Sequence, residues 1–225
     1  MTDAPRRVYV GIDLAWGYRA RTGLAAVDAS GMLLDVASAV SDDEILQWVD
    51  AHDPSVVAID APLVVTNQTG MRECERAIGR AYSRYGASCH ASNATRMPSP
   101  RAAALAKGRW AVDARPGAAG PVCVEVYPHA ALVGLFALPY RLAYKKGPLA
   151  SRRTGFGELV RLLEGWPVLE LDGGPWRGLR AELAAATRQV DLDRVEDQLD
   201  AVVCAGIALL HQRGDNRNWG HRRDC

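Results

Sequence analysis

The chain has no paired cysteine motif, no long apolar run and no excess of charge. Its five cysteines, Cys74, Cys89, Cys123, Cys204 and Cys225, stand apart without a CxxC pair. That spacing excludes a zinc knuckle and reads as reduced thiols rather than a disulfide framework. No stretch reaches the roughly 18 consecutive apolar residues of a membrane span, and the start, MTDAPRRVYV, lacks the apolar centre of a secretory leader. A cytoplasmic protein with no membrane partner is expected. The net charge of +1, with 24% charged residues, gives the whole molecule no electrostatic bias toward nucleic acid or lipid. Charge has to be examined segment by segment.

What is present is enough chain for a full core. At 225 residues, with no repeat, low-complexity tract or linker, the sequence reads as one domain over 1–225, with insertions at about 66–118 and 138–190. The run Val8 to Trp16, VYVGIDLAW, has the β-branched, small and aliphatic composition of a strand buried on both faces, and it carries a single carboxylate, Asp13. An acid there is costly unless it is paired or bound to a cation. The plainer alternative is a turn cap ahead of Gly17. Two further strands, Gly23 to Ala29 and Met32 to Ala39, complete a meander. Ser41 and Glu44 then make a capping box for a helix that Asp53-Pro54 stops. Val56 to Ile59 is a short buried strand running directly into Asp60, and Pro121 to Tyr127 is a later one holding Glu125.

Between Met71 and Arg115 the balance is +6, against −5 for the rest of the chain. Arg72, Arg76, Arg80 and Arg84 recur every four residues, so a helix would display them as one stripe. Such a stripe is either a solvated face or a seat for a phosphate backbone. Leu138 to Phe156 is basic and punctuated by Gly and Pro, and reads as an exposed insertion. Pro128-His129 opens a short helix, where His129 serves as a start cap or a base. Trp110, beside Arg109, is a candidate for stacking on a base. The polar tail from Gly214 is expected to fray.

The last helix, from about Leu192 to His211, sets Asp193, Asp197 and Asp200 on one face, followed by the small residues Ala201, Cys204, Ala205 and Ala208. Small residues let that helix lie close to a sheet. Stacked like charges need something positive, and a divalent cation would serve. Asp13 and Asp60 with Asp197 and Asp200 form a hard, all-oxygen ligand set, which selects Mg²⁺ or Mn²⁺. On that reading Asp200→Asn relieves repulsion and leaves the metal-free protein at least as stable.

Six motifs, GIDLA (11–15), AIDAPL (58–63), RECER (72–76), EVYPHA (125–130), YKK (144–146) and EDQLDA (196–201), span nearly the whole chain. In that order they resemble the family of predicted ribonuclease H-like nucleases numbered domain of unknown function four-two-nine. The last motif is also similar to the final-helix motif of Holliday-junction resolvases. The resemblance implies an α/β, ribonuclease H-like fold: a mixed five-stranded sheet, three antiparallel strands and then parallel ones, flanked by helices and carrying helical and loop insertions. It also implies a nuclease hydrolysing phosphodiester bonds by a two-metal-ion mechanism, with Asp13, Asp60, Asp197 and Asp200 as ligands and a nucleic-acid partner. Arg72, Arg76, Lys145 and Lys146 would hold the backbone. Glu125 either joins the acids, replacing one that the first helix lacks, or sits in the core with a basic partner. A sugar-kinase-like or actin-like phosphotransferase, and a non-catalytic nucleic-acid- or protein-binding module, are the alternatives.

Overall fold

The structure, a computed structural model, describes residues 7–112, 115, 117 and 120–215. The start before Arg7, Asp113 and the tail after Asp215 lie outside them. β1 (Val8–Asp13), β2 (Thr22–Asp28) and β3 (Leu33–Ala39) form the expected antiparallel meander. α1 (Asp42–His52) follows, and β4 (Val56–Ile59) returns parallel to β1. After α2 (Glu73–Tyr82) and α3 (Arg101–Ala106) come β5 (Ala111–Val112) and β6 (Val122–Glu125), both parallel additions. The sheet therefore has six strands rather than five, in the order β3-β2-β1-β4-β6-β5. The unforeseen β5 is only two residues long, too short to show an alternation.

The period of two in β1 divides its side chains between two cores. Val8, Val10 and Ile12 pack with Ile45 and Val49 of α1 and with Leu105 of α3. Tyr9, Ala25 and Ala58 pack on the opposite face, which is covered by α4 (Pro128–Phe136), α5 (Leu149–Glu164), α6 (Gly174–Ala185) and α7 (Gln189–Arg213). By the same alternation Asp13 and Asp60 fall on the α7 face. The approach of that helix is unusually close. A Cβ on Gly11 would lie 2.1 Å from the Ala201 carbonyl oxygen, and one on Gly23 would lie 1.9 Å from that of Asp197. Gly23 stands opposite Asp13 in the β1–β2 register, so the bare glycine backbone brings the Asp197 turn of α7 against the strand end.

α1 carries the anticipated capping box: the Glu44 amide donates to Ser41 Oγ at 3.2 Å, and the Ser41 amide donates to Glu44 Oε2 at 2.9 Å. Ser41→Ala removes one of these bonds at an exposed helix start and is expected to cost about 1 kcal/mol in a urea or thermal melt, with no effect on ligand binding.

Two expectations need correction. The 138–156 segment is not simply an exposed insertion, since Tyr144 and Phe156 are fully buried and Arg152 nearly so. α5 starts at Leu149, directly after Pro148 at its N-cap, and its buried face, Arg152, Phe156, Leu159 and Leu163, is disguised by two arginines and two glycines. Proline precedes that helix rather than breaking it. The cysteines are also not all thiols. Cys89, Cys123 and Cys204 are free, whereas Cys74 is disulfide-bonded.

Candidate functional site

The carboxyl ends of β1 and β4, adjacent parallel strands, set Asp13 and Asp60 side by side, with the Asp60 amide donating to the Ile12 carbonyl at 2.9 Å. The close approach of α7 adds Asp197 and Asp200. Asp13, Asp60 and Asp197 line a cleft of about 550 Å³, together with Lys145, Arg21 and Arg194. Burial, then the charge of Asp200, raises the Asp13 carboxyl well above its ordinary range. Asp60 is pushed up to about 7 by burial, with Lys145 opposing and Asp200 and Glu125 adding to the shift. Asp197 is likewise raised to about 7, by burial and by Asp200. Thus the four aspartates brought together in the sequence reading share one another's fields.

Their partners differ. Asp200 is fully buried and engaged on both oxygens: Tyr144 Oη donates to Oδ1 at 2.7 Å, and Lys145 Nζ stands 2.5 Å from Oδ2. Burial opposes the Lys145 charge, but Asp200, Asp13 and Asp60 outweigh it and hold the ammonium protonated. Among the described residues, no group donates a hydrogen bond to the carboxylates of Asp13, Asp60 or Asp197. Nor do three acid, histidine or cysteine side chains among those residues already enclose a point at ligand distance. Three partnerless, half-buried oxygen donors in one cleft fit a hard cation chemically, although they do not form a closed cage.

The outer acids of α7 are neutralised by the protein itself. Buried Arg152 donates to Asp193 Oδ1 and Glu196 Oε2, both at 2.7 Å, and to Gln189 Oε1. Its Nε donates to the Tyr144 carbonyl at 2.7 Å. The helix face read as needing a metal thus finds part of its positive charge in Arg152 and Lys145. Neither partnership has a signal in the sequence, because each joins positions about 40 or more residues apart.

Glu125 ends β6 beside Asp60, but its carboxylate is bound bidentately by Arg72, at 2.6 and 2.8 Å, and accepts the Leu63 amide at 2.9 Å. It therefore sits with a basic partner, one strand beyond the cluster. Arg72 is buried and also bonded to Glu75 and to the Val64 carbonyl, so its guanidinium faces inward. Arg76 and Arg80 both pair with Glu73, and Arg84 lies over Tyr85. The basic stripe is largely matched by neighbouring acids, because α2 begins with two glutamates. Lys146 remains exposed and, with Arg141, Tyr127, His129 and Tyr140, lines a second cleft of about 490 Å³. Trp16, Asp60 and Lys145 belong to both clefts.

His129 makes no cap hydrogen bond. It packs edge-on to Tyr144, with ring centroids 5.8 Å apart, and burial and Lys145 push it down to about 4, so it is neutral at pH 7. Trp110 is half-buried against the α1 side of the sheet, whereas Trp16 is 67% exposed at the cleft mouths. Arg101 holds the loop that carries Trp16 by donating to the Ala15 carbonyl at 2.9 Å while pairing with Asp42 at 2.7 Å.

The sequence model of the family described as Protein of unknown function (DUF429) matches residues 11–223 of the chain. No curated protein and no solved structure matches it.

Proposed function

We propose that this chain, which belongs to the DUF429 family, is a divalent-cation-dependent phosphodiester hydrolase acting on nucleic acid, with a ribonuclease H-like core. The single observation that carries this reading is the set of carboxylates without a hydrogen-bond donor among the described residues, Asp13 and Asp60 at the ends of the first and fourth strands and Asp197 in the third turn of the last helix, in one cleft. Those three would hold Mg²⁺ or Mn²⁺. When bound, the cation would supply Lewis acidity at a phosphoryl oxygen and ease ionisation of the attacking water. Arg21 and Arg194 on the rim, with Arg141 and Lys146 in the adjoining cleft, provide charge that attracts a polyanion toward the acids. Neutral His129 faces the same cleft without an added charge.

A second reading has its own support. The 2.5 Å approach of Lys145 to Asp200 neutralises one acid internally, as in a non-catalytic binding module. Calorimetric titration of Mg²⁺ and Mn²⁺ into wild type and Asp13→Asn, followed by a cleavage screen over labelled single-stranded, duplex and branched DNA and RNA, separates the two. The hydrolase reading expects saturable binding that Asp13→Asn abolishes, and strand cleavage only with the cation present. Neither binding nor cleavage by the wild type would leave the module.

A further inference from the structure

We infer that the second cleft receives one unstacked nucleotide of a single-stranded nucleic acid, its base against the exposed rings of Trp16 and Tyr140 and its phosphate on Arg141 and Lys146. This rests on the proposed function for the class of polymer, but binding of the strand here needs neither a cation nor cleavage.

Exposed aromatic rings gather at this cleft. Among the described residues, Trp16, Tyr18 and Tyr140 are the tryptophan, tyrosine and phenylalanine side chains left largely in water, and Trp16 and Tyr140 line it. Both rings stand on fixed backbone. Buried Arg101 donates to the carbonyls on either side of Trp16, at 2.9 Å for Ala15 and 3.4 Å for Gly17, and lies 5.1 Å from the centre of the Tyr18 ring. The Ala15 amide donates to Thr22 Oγ1 at 3.2 Å. Tyr140 is 56% exposed, yet its phenol end rests against Gly86, where a Cβ would come within 2.4 Å of Oη. The next amide, of Arg141, donates to the Tyr85 carbonyl at 2.9 Å. One exposed ring is ordinary on a protein surface, but two rings held in place at one concave mouth offer a base a stacking surface that needs little further ordering.

The charges of the cleft are sorted. Arg72 is bound to Glu125 and Glu75, and Lys145 faces Asp200, whereas Arg141 and Lys146 have no acidic partner among the described residues. Burial raises the Tyr127 hydroxyl to about 12 and lowers His129 to about 4, and the charge of Arg141 acts on both, so its guanidinium stands over the cleft. Among the described residues, Asp60 is the lining acid without an ion pair, and it lies at the end shared with the acid cleft. An anionic group is therefore directed to the Arg141 and Lys146 wall. Flat apolar surface beside unpaired cations matches a base joined to a phosphate. The cleft of about 490 Å³ falls within the roughly 300–1,000 Å³ of small-ligand sites, so a base enters only after leaving its stack, which a duplex resists. Trp16, Asp60 and Lys145 border both clefts, so a strand anchored here leads its next phosphodiester toward the acids.

The test is fluorescence anisotropy in EDTA with an end-labelled oligothymidylate of about ten nucleotides, a length within the roughly 4–16 that single-strand surfaces cover. Wild type is expected to bind it at least about tenfold more tightly than a duplex or an abasic strand of equal length. Trp16→Ala and Tyr140→Ala, confirmed folded by circular dichroism, should each weaken single-strand binding about tenfold and shrink the preference over the abasic strand, while Trp16→Phe and Tyr140→Phe keep most of both. Arg141→Gln and Lys146→Gln should each lower the salt slope of log Kd by about 0.7. Equal affinity for single, duplex and abasic strands, unchanged binding in both alanine variants, or no binding by the wild type would each overturn the inference. So would a phosphotyrosyl peptide or free thymidine monophosphate that competes at the concentration of the strand itself. Single-strand binding of the expected kind, with no cleavage once Mg²⁺ or Mn²⁺ is added, supports the inference and rejects the hydrolase reading. Cation-dependent cleavage of duplex without any single-strand preference rejects the inference and supports the hydrolase.

Discussion

Asp200→Asn is expected to destabilise the metal-free protein by about 2–3 kcal/mol, a drop of about 4–12 °C in melting temperature for a chain of this size. This reverses the sign expected from the sequence, where four stacked acids made any loss of charge look favourable. Asp200 has no exposed surface, accepts from Tyr144 and balances Lys145. The carboxamide oxygen can still accept from the Tyr144 hydroxyl, but the Lys145 ammonium loses its counter-charge and faces an NH2 donor instead. The cost falls below the roughly 3–5 kcal/mol of a fully buried pair because the 27% exposed Lys145 side chain retains some solvent. Asp13→Asn should act in the opposite direction, since no donor among the described residues reaches Asp13 and its carboxyl is raised by burial and by Asp200. Melts at pH 8 without metal should order the variants Asp13→Asn above wild type above Asp200→Asn. If both substitutions shift stability alike, the two acids do not differ in the way their partners require.

The second large effect is on the pH dependence. A carboxyl whose folded value exceeds its unfolded one is bound more tightly to its proton in the native state, so its ionisation opposes folding. Asp60 rises from its ordinary 3.8 to about 7. Its contribution is therefore most favourable below about pH 4 and is lost as the pH rises through about 7. At about 1.4 kcal/mol for each pH unit between the two values, the full effect is about 4 kcal/mol and belongs to the coupled cluster rather than to Asp60 alone, so the share seen at Asp60 is smaller. Chemical denaturation of wild type and Asp60→Asn from pH 4 to 8 should show the wild type losing stability relative to the variant, by no more than about 4 kcal/mol. Saturating Mg²⁺ should oppose the loss, because a cation competes with protons for the same oxygens and stabilises most where they are ionised. A wild type that gains on Asp60→Asn as the pH rises would mean that the carboxylate has a partner in the folded chain.

Much of the fold is legible along the chain because it is written in local chemistry. The strand composition of Val8 to Asp13, the capping box at Ser41 and Glu44, and Val56 to Ile59 ending in an acid each depend on neighbours a few residues away. The grouping of Asp13, Asp60, Asp197 and Asp200 is legible for the same reason: strand ends and one helix face can be read from periodicities of two and 3.6. The small residues of α7 were equally visible, though the matching Gly11 and Gly23 on the sheet became meaningful only once the helix lay across them.

Charge balance was legible only where partners are local, and the reason is the range over which the other charges find theirs. Arg76 and Arg80 find Glu73 within two turns, a pairing the sequence can show, whereas Arg72 turns inward to Glu125, 53 residues away. The acids of the last helix look as if they await a metal until Arg152 and Lys145 arrive from a segment that reads as exposed insertion. By itself the sequence determined the strand and helix framework, and which carboxylates would share a place. Only the tertiary structure decided which of them are already neutralised and which stand without a partner. Backbone order follows from short-range sterics and patterning, whereas a buried ion pair is settled by whichever opposite charge the folded chain carries within a few ångströms.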